Sequence, residues 1–155
     1  MTLSDLSAVS QIVSAVILVV TALILWIQIS ETRRATYTTA FKAVYDMLQD
    51  EAKREDRGFV LGDLANKPFN TWTPTEKQRA EKVCHNYDAV GIICRNRLLP
   101  THLVADSWGD SLRRCWTILS PLVTEYRTTR NSREFWDDFE WLAREAEKYQ
   151  QKIRA

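Results

Sequence analysis

Five side chains able to hydrogen-bond stand at regular intervals in the most apolar stretch of the chain. Ser7, Ser14, Thr21 and Gln28 recur every seven residues, and Gln11 stands four beyond Ser7, a spacing continued by Leu18 and Leu25. On a helix these positions share one face. In lipid an unpaired amide or hydroxyl is costly, whereas one facing a second helix can bond across the seam for about 0.6–2 kcal/mol. The chemistry expected of these residues is therefore self-association, with left-handed packing of several copies. Ser and Thr can also bond back to their own helix, and that alternative stays open for the hydroxyls. Gln11 cannot be satisfied locally in that way.

A second group is cationic. Between Arg95 and Arg133 lie seven arginines and three acids, a local balance of 7 − 3 = +4, with no lysine. Guanidinium forks suit phosphate and carboxylate, so Arg95, Arg97, Arg113, Arg114, Arg127 and Arg130 are candidate anion- or ligand-binding residues. Trp116, Tyr126 and Trp136 are neighbours that could stack on a base. The competing reading is salt bridges within or between subunits, or contact with anionic lipid headgroups. Two spacings, Arg79 to His85 and Arg97 to His102, match the Arg and His pairing of helical ribonucleases, in which a cation stabilises the transition state and an imidazole transfers the proton. Cys84, His85, Cys94, His102 and Cys115 lack metal-ligand spacing, and glycine-rich phosphate loops are absent, so no cofactor or metal is expected. The three thiols fall on apolar stripes and read as core.

The elements that position these groups are helices. Leu6 to Ile29 contains fourteen Leu, Ile and Val residues and lies within a run of twenty-five uncharged residues. As a helix it is about 36 Å long at 1.5 Å per residue, enough for a hydrocarbon core of about 30 Å. Asp5 precedes it, and Arg33 and Arg34 follow. The positive-inside rule then places the N-terminus outside and residues 31–155 in the cytoplasm, with the inner membrane as the location. An odd number of thiols without close pairs agrees with a reducing compartment. The N-terminal acid argues against a cleaved signal peptide. With four Gly and four Pro in 155 residues, a β-sandwich is excluded, and a net charge of +1 gives no reason to expect a nucleic-acid coat.

The expected architecture is all-α: a transmembrane anchor over 1–30, an amphipathic connecting helix over 31–57, and a helical domain over 58–155. With the connecting helix this makes a cytoplasmic four-helix assembly. The polar phase of the span continues through Thr32, Ala35, Thr39 and Lys42, which predicts that the helix runs on past the membrane. Gly58 and Gly62 are expected to end the connecting helix and open an irregular segment. Thr73-Pro74-Thr75-Glu76 predicts a capped helix start, and that helix is expected to stop at Leu98-Leu99-Pro100. A helix from about His102 to Thr129 follows, kinked or split by Pro121. A last one is expected from Asn131, with Glu134 three residues on and Phe135 on its apolar stripe.

Several stretches together carry a resemblance: the W-T-P-x-E start at Trp72, V-G-I-I at Val90, R-x-R-L-L-P at Arg95, the pair Trp108 and Trp116, S-P-L-V-x-E-x-R at Ser120, and the closing F-x-x-x-F-x-W-L-A at Phe135. Over nearly its whole length the chain resembles an uncharacterised domain-of-unknown-function family of small bacterial single-pass membrane proteins. In architecture it is also similar to the small membrane effectors of prokaryotic antiphage defence, in which a cytoplasmic domain senses a signal and membrane helices respond. The expectation is a non-enzymatic, membrane-perturbing or channel-like homo-oligomer, its lipid-embedded assembly controlled by a partner protein or a nucleotide-like anionic ligand. A passive anchor or scaffold that recruits a cytoplasmic protein is the alternative, and an Arg/His ribonuclease is the second.

Overall fold

In a computed structural model the backbone is described for residues 3–154, and the side chains for Gln11 and residues 13–154. The described residues form helices and connecting turns, with no strand. The elements are α1 (Leu3–Gln49), α2 (Glu51–Phe59) with a π-helical turn at Val60–Leu64, a 3₁₀ turn at Phe69–Thr71, α3 (Pro74–Arg95), α4 (Thr101–Thr129) and α5 (Asp137–Arg154). The chain divides into two compact units, Met1–Thr38 and Thr39–Ala155.

The first unit is the main part of α1. It is the one helix among the described residues that is long and apolar enough to cross a membrane, with a mean hydropathy of 2.4 in its most apolar window and no residue of that window buried. As the continued polar phase predicts, α1 does not stop at the end of the apolar run. It stops at Gln49, because Asp50 leaves the helical region (φ −51°, ψ 133°) and its Oδ1 accepts from the backbone N–H of Lys53, capping α2. Arg57 Nη1 donates to the Leu48 carbonyl at 3.1 Å, satisfying one of the acceptors that the end of α1 leaves open. The expected single helix over 31–57 is thus two helices broken at Asp50.

In the second unit α5 lies against both α3 and α4, and α2 lies against α3. Gly58 and Gly62 do not end the connecting segment: Gly58 lies inside α2 and Gly62 inside the π-helical turn. Val60 and Leu64 are buried on either side of Gly62, and burying each is worth about 1.5–3 kcal/mol, more than the roughly 1 kcal/mol a helical glycine costs. Thr73 caps α3 as predicted. Its Oγ1 accepts from Glu76 N–H, the Glu76 carboxylate accepts from Thr73 N–H at 2.7 Å, and Pro74 sits at the first helical position.

Three expected boundaries move. α3 ends at Arg95 instead of Leu98, through a Schellman turn in which Arg97 N–H reaches Cys94 O and Leu98 N–H reaches Ile93 O, with Arg97 at φ 60°. Pro121 does not split α4, which is continuous from Thr101 to Thr129. The carbonyl that Pro121 leaves without a backbone donor is that of Thr117, and Ser120 Oγ donates to it at 3.2 Å. Asn131 does not cap α5. It takes φ 48° and closes α4 in a second Schellman turn, with Asn131 N–H on Thr128 O and Ser132 N–H on Arg127 O. α5 begins six residues later, at Asp137, and its cap comes from another helix: Asp88 Oδ1 on α3 accepts from Phe139 N–H at 3.1 Å.

The core is aromatic. Tyr87, buried, stacks on Phe139 at 5.2 Å and its hydroxyl pairs with Ser111 Oγ at 2.8 Å, while Trp116 meets Phe139 edge-on. Gly91 permits the approach of α5, because a Cβ there would overlap the Asp138 carbonyl. Cys84, Cys94 and Cys115 are free and buried, with burial pushing the thiols of Cys94 and Cys115 up to about 11. They belong to the core, as their stripe positions predicted.

Candidate functional site

In the apolar part of α1, Gln11, Ser14, Thr21 and Gln28 are all exposed; the side chain of Ser7 lies outside the described residues. Thr21 Oγ1 donates to the Ile17 carbonyl at 2.8 Å, so this hydroxyl is satisfied within its own helix. Ser30, Thr32, Thr36 and Thr38 bond back in the same way. The side-chain amides of Gln11 and Gln28 have no partner among the described residues. They are what distinguishes this face from an ordinary lipid-facing one.

The six candidate arginines do not gather at one place. Arg113 and Arg127 are separated by fourteen residues of α4, about 21 Å along the axis. Each is tied to a carboxylate of α5: Arg113 Nη1 to Glu147 at 2.7 Å, and Arg127 Nη1 to Glu140 at 2.8 Å. Arg127 Nε also donates to the Phe135 carbonyl. Arg95 bridges Asp137 and Asp138 in the first turn of α5, at 2.9 Å from each. These three pin α5 to its neighbours. Arg97 and Arg114 are exposed, the latter 3.9 Å from Asp110 on its own helix.

Arg130 differs from the others. Its guanidinium lies 4.6 Å from the Phe135 ring centre and 5.2 Å from that of Tyr126, and among the described residues it has no ion pair. With Lys77, Glu125, Tyr126 and Thr129 it lines a cleft of about 320 Å³ on the surface between α3 and α4. Lys77 Nζ meets both oxygens of Glu125, at 2.7 and 2.8 Å, and also lies 4.8 Å from the Phe69 ring. Tyr126 donates to Glu81 at 3.1 Å and stacks on Phe135 at 5.7 Å. Burial, then the bond to Glu81, raises the Tyr126 phenol above its ordinary value, so it is a donor at neutral pH.

Tyr126 also meets Trp136 at 5.2 Å, and Trp136 in turn meets His85 edge-on at 5.2 Å. Trp136 Nε1 donates to His85 Nδ1 at 3.2 Å, which leaves the neutral imidazole's hydrogen on Nε2, 3.6 Å from Glu81. Trp116, Tyr126 and Trp136, expected as stacking partners for a base, instead pack on Phe139, Phe135 and each other, with Trp136 only 3% exposed.

Neither Arg and His pair converges. Arg79 bonds Asp56 and Glu55 and covers the Phe59 ring at 4.1 Å, all toward α2. His85, six residues on, is about 240° around α3 and meets Trp136. His102 lines a groove of about 200 Å³ with Glu145, Lys148 and Tyr149, to which Arg97 does not contribute. No group of three or more His, Cys, Asp or Glu among the described residues is placed to hold a metal ion. Sequence reasoning named Arg130 and Tyr126 but missed Lys77, Glu125 and Thr129. The one available signal was helical spacing, which puts Glu125, Tyr126, Thr129 and Arg130 on adjoining turns.

Residues 8–146 match the family described as Domain of unknown function (DUF4760). No curated protein and no solved structure matches the chain.

Proposed function

The chain belongs to the DUF4760 family, and we propose that it is a single-pass protein of the inner membrane, N-terminus outside, that self-assembles through α1. In this reading the C-terminal helical domain lies in the cytoplasm and receives a partner or an anionic signal, and the assembled spans answer by perturbing or permeating the bilayer. Small membrane effectors of the kind found in antiphage defence work on this plan. No enzymatic step is part of the proposal.

The observation that supports it most is the pair of amides at Gln11 and Gln28, exposed and without a partner among the described residues, on a helix whose apolar window is wholly uncovered. In hydrocarbon an unsatisfied amide costs several kcal/mol on scales where nothing can bond it, and a sister helix supplies the missing partner. Arg33 and Arg34, against Asp5, support the orientation. Ligand control requires that binding favour one arrangement of the spans over another.

One observation favours the passive anchor instead: the Thr21 hydroxyl is satisfied by its own helix, as in a span with no partner. Ion flux from liposomes separates the two readings. Because a signal only shifts an equilibrium between span arrangements, the wild-type protein is expected to release entrapped ions at a basal rate even without it, and the double variant Gln11→Leu, Gln28→Leu, which inserts more readily, is expected to lose that flux. A wild type that inserts but leaves the liposomes tight supports the anchor.

A further inference from the structure

We propose that the α3–α4 cleft is the binding site for a small phosphate-bearing ligand, recognised by Arg130, Lys77 and the Thr129 hydroxyl. The inference rests on reading the C-terminal domain as the receiving part, and it names where the signal sits and what it carries.

Three observations lead to it. Arg130 is the one candidate arginine held in place without a carboxylate within 4.0 Å among the described residues. Arg97 also lacks one, but among the described residues no ring holds its guanidinium. The rings of Phe135 and Tyr126 fix the face of the Arg130 guanidinium, so its N–H edge is available and little rotamer freedom remains to be lost on binding. Lys77 stands on the same cleft with its charge occupied by Glu125, and both side chains are partly exposed. An incoming anion can take the place of Glu125. The Thr129 hydroxyl, also on the lining, has no partner among the described residues.

This donor set suits phosphate better than carboxylate. A planar carboxylate can engage the Arg130 fork but would stand beside Glu125 with a single charge. A phosphate monoester offers three oxygens to a guanidinium, an ammonium and a hydroxyl, and its second charge adds attraction to both Arg130 and Lys77, two cations against the one Glu125 carboxylate that repels it. At about 320 Å³ the cleft is at the small end of ligand pockets, large enough for a sugar phosphate or a mononucleotide. Tyr126 and Phe135 stack on each other, so the phosphate is the group recognised and the remainder of the ligand extends into the open part of the cleft.

The test is calorimetric titration of the full chain in phosphatidylcholine nanodiscs with inorganic phosphate, adenosine monophosphate and glutamate. Phosphate and adenosine monophosphate are expected to compete for one site, and glutamate to give no heat. Arg130→Gln is expected to weaken binding at least tenfold, and Glu125→Gln, which frees Lys77, to strengthen it about tenfold, the range expected for one charge-assisted contact. Phosphatidic acid in the disc distinguishes a lipid headgroup as the source: if the headgroup takes the site, the nucleotide heat disappears. Absence of heat with both wild type and Glu125→Gln overturns the proposal, as does equal binding by Arg130→Gln or equal heat from glutamate. Glu125→Gln leaves the Tyr126 and Phe135 stack untouched, so the test survives if Arg130→Gln disturbs it. Subunit number and ion flux are measured without ligand, so loss of the cleft leaves the assembly reading standing, and a single-copy protein that binds phosphate overturns only assembly.

Discussion

Asp88 shows how a residue's role is set by what folds against it. Its carboxylate caps α5 at Phe139, yet burial, reinforced by Asp138 and Asp137, raises its pKa above the ordinary 3.8 despite that bond and the nearby His85. A carboxyl whose folded pKa is raised favours the folded state most when protonated, and that advantage is lost as pH rises through the folded value. Asn at this position keeps an acceptor for Phe139 N–H and removes the charge. Asp88→Asn is therefore expected to gain thermal stability relative to wild type as pH goes from below 3.8 to 7, measured by circular dichroism melting at each pH. Glu76 and Glu147 work the other way: Lys67 and Arg113 hold their carboxyls low, and the stability they add is lost as pH falls through those lowered values. Asn retains the hydrogen bond, so a gap that does not change with pH would assign Asp88 no electrostatic cost. At this scale the capping box at Thr73 was legible because both partners lie three residues apart. The fate of the arginines was not. Their carboxylates at Asp137, Asp138, Glu140 and Glu147 lie thirteen to forty-three residues away, and only packing brings them together.

Among the elements, local signals succeeded where they agreed with burial and failed where another contact outweighed them. Pro121 is a helix breaker by its own chemistry, yet α4 passes through it because Leu119, Leu122 and Val123 are buried and Ser120 supplies the donor that proline lacks. The defect remains costly. Pro121→Ala restores the backbone donor to Thr117 O and is expected to stabilise the domain by about 1–3 kcal/mol, read as a rise in melting temperature. No change or a fall would mean that Ser120 already replaces that bond in full. Asn131 and Glu134 have the spacing of a helix start, but Asn131 serves the end of α4, where a residue with positive φ is needed and Asn tolerates it. Asp50 gave the opposite miss: an unremarkable acid within a charged run ends one helix and caps the next.

For the whole molecule, the sequence made the all-α class and the apolar N-terminal helix plain, because twenty-five uncharged residues and four glycines admit few other folds. The cleft was less legible, since Lys77 reaches Glu125 across forty-eight residues and two helices. The proposed function requires that α1 have sister copies in the membrane. Subunit counting by native mass spectrometry of the full chain released from nanodiscs addresses this directly, with Gln11→Leu, Gln28→Leu as the comparison. Assembly through Gln11 and Gln28 predicts a defined homo-oligomer for the wild type and a shift to single chains in the variant; a wild type that flies as one copy, or a variant that assembles as well as the wild type, would overturn it.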